Sequence, residues 1–231
     1  MEKLLASQLA YYRARAPEYD AWFLRQGRYD RGEAHKAEWM AEVGRLEGAL
    51  ADFAPVGDIL ELACGTGWWT ERLSAYGSSL TAVDAAPEVI ALNKKRLPSA
   101  RITYIQVDLF AWQPERTFDT IFFSFWLSHV PPERFAAFWD LVRRCLAPGG
   151  RVFFIDSSHT PEATARDHLL RSPEAVSITR RLSDGRGFEI VKVFYEPETL
   201  GVQLEALGWR SVVQQTEMFF VYGAAELQNR L

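Results

Sequence analysis

The sequence predicts an α/β fold with a mostly parallel β-sheet. Between residues 57 and 156, short apolar runs typical of strands alternate with longer segments of helical periodicity. Strands that alternate with helices of roughly 10 to 15 residues form βαβ units, in which the strands pair in parallel. Of the 231 residues, 48% are hydrophobic and 24% are charged, which is typical of a folded domain with its own core. We therefore interpret residues 1–231 as a single domain.

Three regions of this domain differ in pattern. In residues 1–54, apolar residues recur at helical spacing, first over residues 4–24 with an interruption at Pro17 and then over residues 33–53. Residues 55–156 form the core with the alternating pattern. Its predicted strands are 58–63, 79–84, 101–107, 118–125 and 151–156, and its predicted helices are 66–76, 87–97 and 132–146.

The third region, residues 157–231, has a different order of elements. Residues 160–171 are polar and predict a short helix. Residues 178–182 and 188–194 flank a Gly-rich turn and predict a β-hairpin. A helix follows over 197–207, and strands over 209–215 and 217–222 are close enough in sequence to pair antiparallel.

Composition and charge exclude several classes of protein. Lys plus Arg number 26 against 30 Asp plus Glu, for a net charge of -4, whereas nucleic-acid-binding proteins are usually basic. Two cysteines make no disulfide framework. The N-terminus lacks the apolar run of a signal peptide, and no apolar run approaches the ~20 residues that span a bilayer. We expect a cytoplasmic monomer or homodimer with no nucleic-acid or membrane partner.

The most informative segment is the glycine-rich turn after the first predicted strand. Gly65 and Gly67 remove side chains where a ligand can lie against the backbone, and the next helix offers free N–H groups at its start. Asp84 ends the second strand, 17 residues after Gly67. Strand ends of an open parallel sheet bind ligands, and an acidic side chain there can accept both hydroxyls of a ribose. The pair predicts a nucleoside ligand.

Two features select among nucleoside ligands. A dinucleotide-binding turn has a third glycine in G-x-G-x-x-G, and Thr70 stands at that position. Glu61 precedes the glycines, and its carboxylate would repel a pyrophosphate but attract the ammonium group of an amino acid. These features favour S-adenosylmethionine (SAM), whose product is S-adenosylhomocysteine (SAH), over a nicotinamide dinucleotide.

At this point the sequence resembles the class I SAM-dependent methyltransferases, in particular the small-molecule type with a helical N-terminal cap. The segments that carry the resemblance are ILELACGTG (59–67), AVDAAPEVI (82–90), YIQVDLFAW (104–112), FDTIFFSFWLSHVPPE (118–133) and LAPGGRVFFID (146–156). Departures are Ala63, where many members have glycine, and the bulky pair Trp68 and Trp69. The resemblance implies a Rossmann-like, seven-stranded sheet of order 3-2-1-4-5-7-6 with helices on both faces.

The resemblance also implies which residues contact SAM. They are Gly65 and Gly67 at the methionine part, Asp84 at the ribose, Ala85, Val89, Asp108, Leu109 and Phe110 around the adenine, and Ser124 beside the methyl group.

The N-terminal helix is rich in aromatic and basic residues. Its aromatic residues either pack on the sheet's helices or form a lid, as the resemblance implies, with the hydroxyls of Tyr11 and Tyr19 at the methionine carboxylate. We interpret the basic residues as parts of solvent-exposed helix faces; the alternative is that they bind an acidic substrate. They are Arg13, Arg15, Arg25, Arg28 and Arg31, and, near the predicted hairpin, Arg180, Arg181 and Arg186.

The end of the fourth strand predicts the place of methyl transfer. His129 is the candidate catalytic base, because imidazole titrates near neutral pH; the alternative is a structural role. The other histidines are scattered, so we expect no metal site. The predicted function is methyl transfer from SAM to an oxygen or nitrogen of a small-molecule acceptor. An NAD(P)-dependent oxidoreductase and a non-catalytic SAM-binding protein are the alternatives.

Overall fold

The main sheet has the architecture that the sequence predicts. The computed structural model describes residues 1–99, 101–168, 171–172 and 174–228. Its strands are β1 (Asp58–Leu62), β2 (Ser79–Asp84), β3 (Ile102–Gln106), β4 (Phe118–Ser124), β5 (Leu146–Ser157), β6 (Ser177–Arg181), β7 (Gly187–Val191), β8 (Trp209–Gln215) and β9 (Phe220–Leu227). In these residues, seven strands form one sheet of order β3-β2-β1-β4-β5-β9-β8. β1 to β5 are parallel, and β9 runs antiparallel to β5 and β8. The predicted fold class and strand order are confirmed.

Helices cover both faces of this sheet. They are α1 (Glu2–Arg15), α2 (Tyr19–Phe23), α3 (Glu33–Phe53), α4 (Trp68–Leu73), α5 (Pro87–Arg96), α6 (Phe135–Cys145) and α7 (Pro197–Ala206). Adjacent residues of a strand point to opposite faces. Accordingly, Phe122 packs against Trp69 of α4, and Phe123 packs against Phe138 and Trp139 of α6. In the described chain, no helix is both long and apolar enough for a membrane span.

Helix α1 lies over the hairpin of β6 and β7 and over the start of α5. Tyr11 of α1 packs on Phe188 of β7, with ring centroids 5.8 Å apart. On the other side, Arg13 donates to both carboxylate oxygens of Glu88 at 3.0 and 3.2 Å. Helix α1 therefore bridges the hairpin and the parallel sheet, and it covers the edge where the strands end.

Several elements differ from the prediction, and the last strand, predicted over 217–222, is β9 (Phe220–Leu227). β5 begins at Leu146, so the segment expected to stop the preceding helix is already strand, and its register against β4 shifts between Phe118 and Thr120. In the predicted helix over 160–171, only Pro161–Ala163 forms a single 3-10 turn, and residues 169 and 170 lie outside the described residues. The following polar residues have tertiary partners instead: Arg166 N donates to the carbonyl of Arg28.

Candidate active site

The carboxyl ends of β1, β2, β3 and β4 surround a cavity of about 350 Å³. Ala63 follows β1, Asp84 ends β2, Asp108 follows β3 and Ser124 ends β4, and all four line this cavity. Strand order reverses between β1 and β4, which is where open parallel sheets bind ligands. The volume is in the range of small-molecule sites.

Most of the predicted cofactor residues meet in this one cavity. Those in its lining are Tyr19, Gly65, Asp84, Ala85, Val89, Asp108, Leu109, Phe110 and Ser124. Tyr11 instead lines a second pocket, which is described below. Glu61 and Gly67 are in neither lining.

The glycine-rich turn is held by the acidic residue at the end of β2. One oxygen of Asp84 accepts the N–H of Gly65 at 3.0 Å, and the other accepts the N–H of Ala86 at 2.9 Å. Gly65 has φ +54°, and a Cβ placed on it would meet open space. Asp84 thus fixes the turn, and the missing side chain of Gly65 leaves room for a ligand against the backbone.

Glu61 does not face the ligand as the charge argument from the sequence assumed. It is buried, and its carboxyl accepts a hydrogen bond from the Thr70 hydroxyl at 2.6 Å. Burial raises the pKa of Glu61 to about 8, so the group is largely uncharged at neutral pH. Asn93 continues this network by donating to Thr70 at 2.8 Å. Glu61 therefore supports the turn from behind.

Two non-glycine residues of the cavity wall have left-handed backbone. Ala63 has φ +54° and Phe125 has φ +53°. Such conformations cost energy in residues with a Cβ and concentrate at functional sites. Ala63, which stands where many members of the family have glycine, therefore carries backbone strain.

A second, smaller pocket of about 60 Å³ lies beside the large cavity. The two share Tyr12, Tyr19 and Phe125 in their walls. The inner pocket is enclosed by α1, β7 and the segment between β5 and β6. Its polar lining comprises Tyr11, Tyr12, Arg15, Tyr19, Tyr29, His129, Ser157, Ser158, Thr164, His168, Arg180 and Lys192.

His129 forms part of the wall of this inner pocket. Its Nδ1 lies 2.7 Å from the carbonyl oxygen of Val191 and is therefore the protonated nitrogen, which leaves the lone pair on Nε2. Burial, followed by the charge of Lys192, lowers the pKa of His129 well below its usual value. The imidazole is therefore neutral at pH 7.

Gln8 holds α1 over the pocket, and no pattern in the sequence predicted this role. Its amide donates to the carbonyl of His129 at 3.1 Å and accepts the N–H of Val191 at 2.9 Å. Gln8 is buried in this position. One side chain thus joins the N-terminal helix to the end of β4 and to the hairpin.

The basic residues divide into two groups. Arg13 is exposed and pairs with Glu88, as a solvated face requires. In contrast, Arg25 is 1% exposed and stacks on Trp39, and Arg15 and Arg180 line the inner pocket. For these three residues the solvated-face interpretation is wrong, because segments distant in sequence cover them.

Sequence comparison points to one family. Residues 59–150 match a family profile described as "Methyltransferase domain". The ubiquinone biosynthesis O-methyltransferase of Xanthomonas axonopodis pv. citri (strain 306) is 31% identical over 175 residues, which cover 71% of this chain and 67% of that enzyme. The chain belongs to the SAM-dependent methyltransferases. Matches with other curated relatives span as little as 43% of the relative's own length.

Two solved structures agree with this assignment over nearly the full length of both chains. The DhpI–SAH complex has a TM-score of 0.80 and 39% sequence identity, and it covers 100% of both chains. The DhpI–SAM–HEP complex has a TM-score of 0.82 and 39% identity, and it covers 98% of this chain and 99% of the other. The cofactor is therefore SAM, and the nicotinamide alternative is not supported.

The large cavity of the methyltransferase fits this cofactor. The open space at Gly65 admits a chain against the backbone, and Asp84 offers a carboxylate at the strand end. Val89, Leu109 and Phe110 supply an apolar wall for a planar ring. Among the residues that the structure describes, no three metal-ligating side chains converge.

Proposed function

We propose that this methyltransferase transfers the methyl group of SAM to an oxygen atom of a small molecule held in the inner pocket. The observation that carries the proposal is that the two cavities are neighbours with three wall residues in common. These residues are Tyr12, Tyr19 and Phe125, close to Ser124 at the end of β4. A relative of 31% identity is named an O-methyltransferase, which supports oxygen as the acceptor atom.

The cofactor side of the proposal uses the residues of the large cavity. Gly65 and Asp84 would hold the amino-acid and ribose parts, and Val89, Leu109 and Phe110 the adenine. When bound, SAM supplies an electrophilic methyl group on a sulfonium, which is a good leaving group. The protein then contributes mainly by positioning, because fixed geometry removes much of the barrier of a bimolecular reaction.

The acceptor side sets a limit on size. The inner pocket, of about 60 Å³, is much smaller than the neighbouring cavity of about 350 Å³. Helix α1 closes it through Gln8. These observations favour an acceptor smaller than SAM.

His129 is the proton acceptor of this proposal for an acceptor that carries a hydroxyl. Its neutral ring has a free Nε2, because Nδ1 donates to Val191. The depressed pKa makes it a weak base. For an acceptor without an ionisable proton, His129 would only shape the pocket.

Calorimetric titration with SAH, followed by a panel of small acceptors, tests the proposal. We expect 1:1 binding of SAH, and SAH release from SAM only when an acceptor with a nucleophilic oxygen is present. Asp84→Asn should weaken SAH binding, whereas the control Asp140→Asn, on the exposed face of α6, should not. Absence of SAH binding, or turnover with amines alone, would overturn the proposal.

A further inference from the structure

The inner pocket contains an unusual concentration of positive charge. Arg15, Arg180 and Lys192 all line it. Lys192 is 5% exposed, and burial lowers the pKa of Arg180. These cations come from α1, β6 and the residue after β7, so only the folded chain brings them together.

Negative charge to match these cations is scarce in the described residues. None of the residues that line the inner pocket is Asp or Glu. Behind the lining, Asp156 lies 3.5 Å from Lys192 Nζ. Within the described part of the chain, Arg15 and Arg180 have no carboxylate within ion-pair distance. Three cations and one carboxylate leave two positive charges without a partner.

Several polar atoms of the same pocket have no partner in the described chain. They are the hydroxyl of Tyr12, Nε of Arg15 and the hydroxyl of Ser158, and all three are shielded from solvent. Ser158 itself is 4% exposed. Buried charges and buried polar groups are costly unless they are paired. A ligand with several acceptor oxygens would satisfy the charges and these atoms together.

Aromatic rings surround the guanidinium group of Arg15. The guanidinium lies 4.9 Å from the ring centroid of Tyr19 and 5.4 Å from that of Trp22. Aromatic faces stabilise a cation without neutralising it. Likewise, His168 lies 2.9 Å from Arg180, and burial together with the nearby arginines lowers its pKa to about 4. His168 therefore orients Arg180 as a neutral ring.

We propose that the inner pocket binds the methyl acceptor as a small oxyanion, a carboxylate or a phosphonate-type group, through Arg15, Arg180 and Lys192. This inference rests on the proposed function, because the pocket is the acceptor site only if the large cavity holds SAM. Guanidinium groups bind both kinds of oxyanion through paired hydrogen bonds, so the pocket selects the charge and the size.

The reaction of such an acceptor balances without a base. One anionic oxygen forms a bond to the methyl carbon, and the carbon–sulfur bond breaks with its electron pair remaining on sulfur. The products are a methyl ester and SAH, and no proton moves. His129 then has no proton to remove, which agrees with its depressed pKa.

Titration calorimetry of the SAH-saturated protein tests the inference with methylphosphonate, propionate and the neutral analogue propionamide. We expect one or both anions to bind and propionamide not to bind. The two anions distinguish the two kinds of oxyanion, and the enzyme with SAM should convert the bound one to its methyl ester, as mass spectrometry detects. Equal binding of propionamide and of both anions, or binding of none of them, would overturn the inference.

Matched variants assign the binding to the named residues. Arg180→Gln should weaken anion binding by roughly 10- to 100-fold, the range for one charge-assisted hydrogen bond, and Arg180→Lys should recover part of it. Arg181→Gln is the control, since Arg181 is the exposed neighbour on the same strand. Unchanged anion binding in Arg180→Gln, or loss of SAH affinity rather than anion affinity in Arg15→Gln, would contradict the site.

The SAH titration separates the two levels of failure. If SAH does not bind to the unaltered protein, the proposed function itself fails. If SAH binds and neutral alcohols are methylated while anions are ignored, the function stands and the oxyanion inference is wrong.

Discussion

The two glycines between β1 and α4 lack a side chain for different reasons, and alanine at each position separates those reasons. At Gly65, with φ +54°, an added Cβ meets open space in the cavity. At Gly67, with φ +95°, it would lie 2.5 Å from Oδ1 of Asn93. Asn93 cannot move away easily, because it donates to Thr70 at 2.8 Å and accepts from the Tyr104 hydroxyl at 2.8 Å.

The structure gives the size of each effect. Gly65→Ala adds the strain of a left-handed backbone, about 1–2 kcal/mol. Gly67→Ala adds the same strain and an overpacked contact of about 1–3 kcal/mol, so roughly 2–5 kcal/mol together. For a domain of this size, 1 kcal/mol shifts the Tm by about 2–4 °C. We expect a Tm loss of about 2–8 °C for Gly65→Ala and about 4–20 °C for Gly67→Ala.

Scanning calorimetry and SAH titration measure the two outcomes on the same samples. For the same loss of Tm, Gly65→Ala should lose more SAH affinity than Gly67→Ala. The reason is that the methyl group added at residue 65 enters the space that the ligand occupies. Gly48→Ala, in the middle of α3 with open space around it, is the control and should not lower the Tm. A larger Tm loss for Gly65→Ala than for Gly67→Ala would refute the reasoning.

Three further predictions concern the acceptor pocket, the N-terminal helix and the cofactor. Burial lowers the pKa of Lys192 to about 8. Raising the pH from 7 to 9 reduces its charged fraction from about 90% to about 10%, so the acceptor KM should rise by up to about 10-fold in steady-state assays. Gln8→Ala leaves the buried groups of His129 and Val191 unpaired, so the free energy of unfolding should fall by about 1–3 kcal/mol and amide exchange in α1 should accelerate. Asp84→Ala should weaken SAH binding by about 10- to 100-fold in calorimetry.

Each of these has its own control. Unfolded Lys192 keeps its proton up to its ordinary pKa, so the folded state binds fewer protons between pH 8 and about 10.5 and this group adds stability as the pH rises. A KM change over pH 7–9 is therefore not unfolding, and an unchanged KM would contradict the role of Lys192. For Gln8→Ala the control is Lys3→Ala, at an exposed position of α1, which should leave the amide exchange of α1 unchanged. For Asp84→Ala, wild-type SAH affinity would remove the residue from the site.

Much of the fold was predictable because it rests on local periodicity. The strand 79–84 and the helix 33–53 have the predicted limits, since their apolar residues repeat at the period of one element. The predicted helix over 160–171 was wrong where the structure describes it, because its polar residues carry no such period and are held by tertiary contacts instead.

The candidate site divides in the same way. Gly65 and Asp84 could be found because their spacing after two predicted strands brings them to one edge of the sheet. Glu61 was misplaced, because its position in the motif does not reveal that it points behind the turn toward Thr70. Gln8 and Lys192 had no local signal, since their hydrogen-bond partners His129 and Ser128 lie 121 and 64 residues away in sequence.

The sequence by itself determined the α/β architecture, the SAM-binding motifs and the presence of an aromatic N-terminal cap, because strand alternation and glycine spacing are properties of neighbouring residues. Only the tertiary structure decided that Arg15, Arg180 and Lys192 share one enclosed pocket without matching carboxylates among the described residues. Net charge could not reveal this, because a chain with a net charge of -4 still concentrates positive charge wherever α1, β6 and β7 meet. That local field is the basis of the proposed preference for an anionic acceptor.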